Sequence, residues 1–241
     1  MSERIKEKSI YKEFTTWKLI HLMIKTGDNL KQEQFALQLI YQFDYIFKLE
    51  NLPLTLTPYE ILSMGPDYGI IEMVKDSITF DKLKKHLKND FGRPYSLKEF
   101  FEIYYGDRLG EAKEVFMKSL AAYSLVMYFL QAKDRHNGNI LLHRSGKIFH
   151  IDFGFFLSNL PGKGVELEKD CPFKLLSEYI EVLDGPESYY FKKFREYLFL
   201  YAFIYHRGFK AVKKHQNKIL MLVKMMYSSN GTTMPCFEKG E

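Results

Sequence analysis

The residues of this chain best suited to chemistry lie between Asp134 and Gly154, in the stretch DRHNGNILLHRSGKIFHIDFG. Two polar clusters, Asp134 to Asn139 and His150 with Asp152, surround two short apolar runs. Ile140, Leu141 and Leu142 form one run; Ile148, Phe149 and Ile151 belong to the other. Ser145-Gly146 between them is a turn signal, so the unit reads as a loop followed by a β-hairpin. The hairpin would hold Asn139 at one end and Asp152 at the other, with both ends facing the same side. An amide oxygen and a carboxylate brought together are hard oxygen ligands. They suit a Mg²⁺ ion that keeps waters and also binds phosphate oxygens. His136 adds an imidazole, the side-chain type that exchanges protons near neutrality.

Several elements must position this unit. Glu111 to Lys133 reads as a long helix whose second half is apolar nearly all round, so it is expected at the centre, delivering the chain into the Asp134 loop. Its most apolar run, Leu120 to Leu130, is too short to span a bilayer and reads as core. Trp17 to Lys25 can run as a strand ending at a Gly27-Asp28 turn, with Lys25 on the face of Trp17, Leu19, His21 and Met23. Leu30 to about Leu49 fits a helix, with Glu33 in its first turn. Leu54 to Met64 and Gly69 to Lys75 read as strands joined by Gly65-Pro66-Asp67. Asp81 to Asn89 is a charged helical segment, and Ser96 with Glu99 forms a capping-box signature before LKEFFEIYY. Beyond Phe155, a stretch with Pro161, Gly162, Gly164 and Pro172 lacks helical periodicity. Three amphipathic helices follow, at about residues 173–183, 187–206 and 207–226.

DRHNGN followed by HIDFG closely resembles the catalytic and metal-binding loops of the phosphatidylinositol 3-/4-kinase superfamily. DFGF, at Asp152 to Phe155, resembles the type III, beta-like phosphatidylinositol 4-kinases. The segment Lys25 to Glu33 resembles that family's K-x-GDDLRQ-[DE]; Lys25 and Glu33 match it, while Asn29 and Lys31 depart from the usual Asp and Arg. The resemblance implies an α+β, bilobal kinase-like fold. A small, strand-rich and truncated N-lobe would occupy residues 1–75, and a larger, mainly helical C-lobe residues 76–241. It implies ATP and Mg²⁺, or Mn²⁺, as cofactors. Lys25, fixed by Glu33, would grip the nucleotide phosphates. Glu72, Met73 and Val74 would meet the adenine through main-chain groups, beside Ile151. Asn139 and Asp152 would hold the metal, and His136 would assist deprotonation of the attacking hydroxyl, with Asp134 orienting that site. His150 would support the loop by hydrogen bonding.

The implied reaction is transfer of the ATP γ-phosphoryl group to the 4-hydroxyl of phosphatidylinositol at a membrane surface. A phosphatidylinositol 3-kinase, a related protein kinase and a pseudokinase-like binding module remain alternatives. The last gains weight because only 24 residues precede Lys25 and none is glycine, so the family's phosphate-covering loop is missing, reduced or built from residues 1–16. The chain is then either a fragment or a minimal kinase. Lys163, Lys169 and Lys174 either meet lipid headgroup oxygens or are simply solvated. The basic residues between Lys192 and Lys224, opposed only by Glu196, either lie on an anionic membrane or cover core aromatics as a solvated face.

Bulk properties agree with such a reading. The 241 residues are 46% hydrophobic and 27% charged, ordinary for a soluble globular protein, with a high 16% aromatic content. A net charge of +5 suits mild attraction to anionic partners, and nucleic acid is not among those expected. Two cysteines, Cys171 and Cys236, cannot build a disulfide framework, and MSERIKEKSI has no signal-peptide core. The expected setting is cytoplasmic, peripheral to an intracellular membrane, Golgi-like by the resemblance.

Overall fold

A computed structural model describes residues 2–27, 29–93, 95–159, 161, 174–203, 210–228 and 234–237. A short exposed helix, α1 (Ser2–Glu7), precedes the first strand. The strand carrying Lys25, β1 (Leu22–Thr26), takes its length from its partner. Leu22 to Thr26 pair antiparallel with Glu72 to Tyr68 of β3 (Tyr68–Glu72), and only the His21 carbonyl extends the ladder, accepting the Met73 N–H at 2.8 Å. The strand expected from Trp17 therefore begins at Leu22, because residues 17–20 have no ladder to join.

On the other edge, β2 (Ile61–Ser63) completes a sheet of order β1-β3-β2. Residues 54–60 are not strand. Leu54, Leu56 and Tyr59 are buried, so the apolar residues that suggest a strand there pack against the core without joining a ladder. Helix α2 (Lys31–Leu49) starts where Asn29 Oδ1 accepts the Lys31 N–H at 3.0 Å, and it buries Phe35, Leu39, Ile40, Phe43 and Phe47.

A second sheet has the order β4-β5-β6: β4 (Ser77–Thr79), β5 (Ile140–His143) and β6 (Ile148–His150). The hairpin read from the sequence is present, closed at Gly146, whose φ is +93°. A Cβ there would lie 2.8 Å from the Ala112 carbonyl oxygen, so glycine lets the turn press against the central helix. Strand β4 was not foreseen; three residues carry no measurable periodicity.

Thr79 accepts the Lys82 N–H and caps α3 (Phe80–Phe91), and Gly92 ends it in a left-handed conformation. Helix α4 (Leu97–Tyr105) has the full reciprocal capping box between Ser96 and Glu99. Helix α5 (Leu109–Leu130) is buried along most of its second half, as expected, and ends at Gln131, not Lys133, with φ +50°.

The C-terminal elements are α6 (Ser177–Val182), α7 (Tyr189–Phe203), α8 (Lys210–Lys214), α9 (Gln216–Ser228) and a 3₁₀ turn, Pro235–Phe237. The helix expected over 207–226 is interrupted at His215, where His215 and Lys214 both meet Glu50 beyond the end of α2, at 3.3 and 2.7 Å. Lys192 likewise has Glu187 at 3.3 Å, so the basic stretch is partly neutralised, by more than Glu196. One hydrophobic core, from Leu30 to Cys236, joins both sheets to the helices that follow them and leaves α1 outside. The class is α+β, as expected, and no described helix is long and apolar enough to cross a membrane.

Candidate active site

Several segments distant in sequence line one cavity of about 390 Å³. β1 supplies Met23 and Lys25, α2 supplies Glu33, and the end of the β5–β6 hairpin supplies Ile151 and Asp152. Glu72, Met73 and Val74, leading out of β3, form another wall with Ile71. Ile78, Leu141 and Phe149 from the second sheet make the floor apolar. The chamber thus has one greasy side fit for a flat ring and one charged end fit for phosphates.

The charged end is organised by Glu33. Its Oε1 accepts the Tyr59 hydroxyl and the Asp152 N–H, each at 3.2 Å. Burial raises the Glu33 pKa, the Asp152 charge raises it further, and the Lys25 ammonium pulls it back down. Lys25 therefore supplies counter-charge to Glu33, though burial and Asp152 keep the net shift upward.

Glu72, Met73 and Val74 differ in what they offer. The Glu72 N–H is spent on the Glu60 carbonyl (2.8 Å) and the Met73 N–H on His21. The Val74 N–H has no partner among the described residues, so it is the donor a ring edge can use, while the Val74 carbonyl accepts Ser77 Oγ at 2.6 Å.

Beside the cavity lies the loop before β5. Asp134 and Asp152 both have φ +59°, an uncommon conformation for a non-glycine residue. Arg135, 3% exposed, holds the two loops together. Its Nε donates to the Lys133 carbonyl at 2.8 Å, one terminal nitrogen to the Ile151 carbonyl at 2.8 Å, and the other to the Asp152 carbonyl. The guanidinium also lies over the Phe153 ring, 5.2 Å from its centroid.

Asn139 is buried. Its Nδ2 donates to the Asp134 carbonyl at 3.0 Å, and its backbone carbonyl accepts the Ile151 N–H at 3.0 Å. Asn139 Oδ1 and the Asp152 carboxylate are then hard oxygen donors at the open end of one hairpin, which fits Mg²⁺. Among the described residues no cluster of three or more His, Cys, Asp or Glu side chains could hold an ion, so one bound here takes its remaining ligands from water and phosphate.

His136 Nδ1 accepts the Gly138 N–H at 3.0 Å, which leaves the proton of the neutral ring on Nε2, 3.9 Å from Asp134 Oδ2. Asp134, His136 and Asn139 are not among the residues that line the cavity; they lie on the loop that Arg135 ties to Asp152. His150 does not support the loop through its ring nitrogens as expected. Its Nδ1 has no hydrogen-bond partner, its ring stacks on Tyr123 at 5.0 Å, and burial and Arg135 push its pKa well below the usual value.

Lys174 is exposed ahead of α6 and is not among the residues that line the cavity; Lys163 and Lys169 lie outside the described residues. Sequence reasoning passed over Arg135, Tyr59, Lys82 and Gln32. Arg135 stood inside the motif and Lys82 in the first turn of a capped helix, yet neither position has a periodic signal. Tyr59 follows a proline in an irregular stretch.

The family described as phosphatidylinositol 3- and 4-kinase matches residues 19–235. The phosphatidylinositol 4-kinase of Dictyostelium discoideum is 41% identical over 243 residues, covering 99% of this chain and 19% of that protein. Phosphatidylinositol 4-kinase beta 1 of Arabidopsis thaliana is 40% identical over 241 residues, 99% of this chain and 20% of that protein. Phosphatidylinositol 4-kinase beta of Xenopus tropicalis is 37% identical over 238 residues, 97% and 27%. The chain thus spans between 19% and 27% of the length of these curated relatives.

Proposed function

Because the chain belongs to the phosphatidylinositol 3- and 4-kinase family, we propose that it is the catalytic core of a phosphatidylinositol 4-kinase. It would transfer the ATP γ-phosphoryl group to the 4-hydroxyl of phosphatidylinositol at the surface of an intracellular membrane. Residues 1–75 serve as the small lobe and 76–241 as the large one. The observation that carries the reading is the single cavity joining Lys25, Glu33 and Asp152 to an apolar wall. The choice of the 4-position is supported by the relatives, which are named as 4-kinases.

In this mechanism the base of the nucleotide lies between Ile71, Ile78 and Ile151 and takes a hydrogen bond from the Val74 N–H. Lys25 holds phosphate oxygens, and Glu33 keeps Lys25 and the Asp152 backbone in fixed relation. Asn139 and Asp152 would hold a Mg²⁺ ion, which when bound would supply positive charge to offset that of the phosphates. The inositol hydroxyl approaches from the Asp134 side. Its proton passes to the Asp134–His136 pair, and the ring accepts at Nδ1 only by releasing the Gly138 N–H. Most of the acceleration comes from positioning and charge neutralisation.

The test is transfer from labelled ATP to phosphatidylinositol vesicles, wild type beside Asp152→Ala, with the product resolved by positional isomer. A 4-phosphate that disappears in the variant is expected. A 3-phosphate, or phosphate on protein, overturns the substrate assignment; no product from folded protein overturns the activity.

A further inference from the structure

One buried polar group has no part in that mechanism. Gln32, in the first turn of α2 and next to Glu33, is 8% exposed, and its carboxamide is engaged at both ends. Nε2 donates to the carbonyls of Phe153 (3.3 Å) and Gly154 (2.5 Å), the two residues after Asp152. Oε1 accepts the Cys236 N–H at 3.1 Å, from the turn Pro235–Phe237 at the far end of the chain.

The same turn is gripped again close by. The Cys236 carbonyl accepts Ser158 Oγ at 2.6 Å and the Ser158 N–H at 3.3 Å. Rings repeat the pattern: Phe35, on the face of α2 that carries Gln32, lies 5.6 Å from Phe237 and 6.0 Å from Phe156. Tyr227 of α9 meets Phe237 edge-on at 5.6 Å. An amide and a ring on α2 therefore each touch the segment after Asp152 on one side and the C-terminal turn on the other.

We propose that Met234–Phe237 is a clasp on the active site and that Gln32 is the positioning residue through which its seating fixes the Asp152 loop against α2. The physical argument is saturation. While Cys236 occupies Oε1, the amide has one orientation, and Nε2 points at the two carbonyls. When the turn leaves, a buried acceptor loses its donor, the amide can rotate, and the carbonyls lose a fixed partner. Whatever pulls on the C-terminal turn then changes the order of the metal-binding loop. Only the expected effect on rate rests on the kinase reading; the clasp is a property of the fold.

The test is hydrogen exchange on the full chain, following peptides that cover residues 151–157. Gln32→Leu keeps the volume and removes all three bonds; Phe237→Ala loosens the turn and leaves Gln32 in place. Each should speed exchange there about tenfold or more, with α4 and α5 at wild-type rates. The double variant should be no faster than the faster single, because both break one unit. Unchanged exchange in Phe237→Ala, or effects that multiply, overturns the clasp. Should Phe237→Ala also expose α4 and α5, Ser158→Ala decides: faster exchange over 151–157 supports the clasp and wild-type exchange overturns it.

Activity separates positioning from mere structure. Gln32→Leu and Phe237→Ala should lower kcat about tenfold, with KM for ATP within about twofold and a higher Mg²⁺ concentration at half-maximal rate. Lost protection with unchanged kcat overturns the positioning role. A wild type without lipid kinase activity overturns the kinase reading and leaves the exchange result to judge the clasp.

Discussion

Gly138 and His136 fit together as backbone and ring: the glycine N–H donates to Nδ1 at 3.0 Å, and a Cβ on the glycine would lie 2.8 Å from Cε1. The ring is more than half exposed, so it can swing aside at little cost to folding. Gly138→Ala should therefore leave stability within about 0.5 kcal/mol of wild type. The displaced imidazole loses its place beside Asp134, and the transfer rate should fall about tenfold to a hundredfold. Thermal unfolding and kcat on the same preparation check the two halves. A matching loss of stability would mean that Gly138 serves the fold and not the ring.

Arg135 binds the carbonyls of Lys133, Ile151 and Asp152 from a buried position. Arg135→Met fills much of the volume and leaves the three acceptors without that donor. It should cost about 3 kcal/mol or more in urea unfolding, and Arg135→Lys somewhat less, since an ammonium cannot span the same fork. Activity should fall even where the protein stays folded, because the tie between the Asp134 loop and Asp152 is gone.

Asp184 links three elements away from the cavity. It meets Lys113 of α5 at 2.6 Å and Lys98 of α4 at 3.2 Å, and the Lys113 side chain is only 6% exposed. Burial works to raise the Asp184 pKa, but the hydrogen bonds and charges of Lys113 and Lys98 outweigh it and hold it below the ordinary value of 3.8. With the folded pKa depressed, the unfolded chain binds the proton more readily. The contribution is therefore complete above the unfolded value and is lost as pH falls through the folded one. Asp184→Asn keeps a residue tolerant of the local φ of +65° and removes the charge. It should destabilise by about 1–3 kcal/mol near pH 7, less than for a fully buried pair because Asp184 is itself a third exposed. The difference from wild type should shrink on acidification below about pH 4. Denaturation across pH measures it; a difference that grows in acid would reverse the assignment.

The elements that were legible in the sequence share a cause. The hairpin from Ile140 to His150, the capping box at Ser96 and helix α2 each rest on local patterns that tertiary packing did not override. The strands at Trp17 and Leu54 were read too long because strand length depends on a partner, and β3 offers only five residues. Lys25, Glu33 and Asp152 were legible as types and spacings, whereas their meeting in one cavity was carried by the resemblance. Arg135 and Gln32 were invisible for another reason. Each acts through carbonyls of other segments, and a carbonyl acceptor leaves no trace in the identity of the residue that carries it.

Lys25 and Glu33 form the unit whose loss should be least additive. Lys25 lines the cavity half-buried, so Lys25→Met should fold normally, while removing the cation that counters Glu33. It should lower kcat/KM for ATP by about a thousandfold. Glu33→Gln keeps an acceptor for the Asp152 N–H and the Tyr59 hydroxyl, but no longer holds the ammonium by charge, and should cost about a hundredfold. If Glu33 acts by fixing Lys25, the double variant should fall little below Lys25→Met alone. Losses that multiply would show that Glu33 works on the Asp152 loop independently of the lysine. The carboxylate would then have two separate tasks, set by the two bonds its Oε1 accepts.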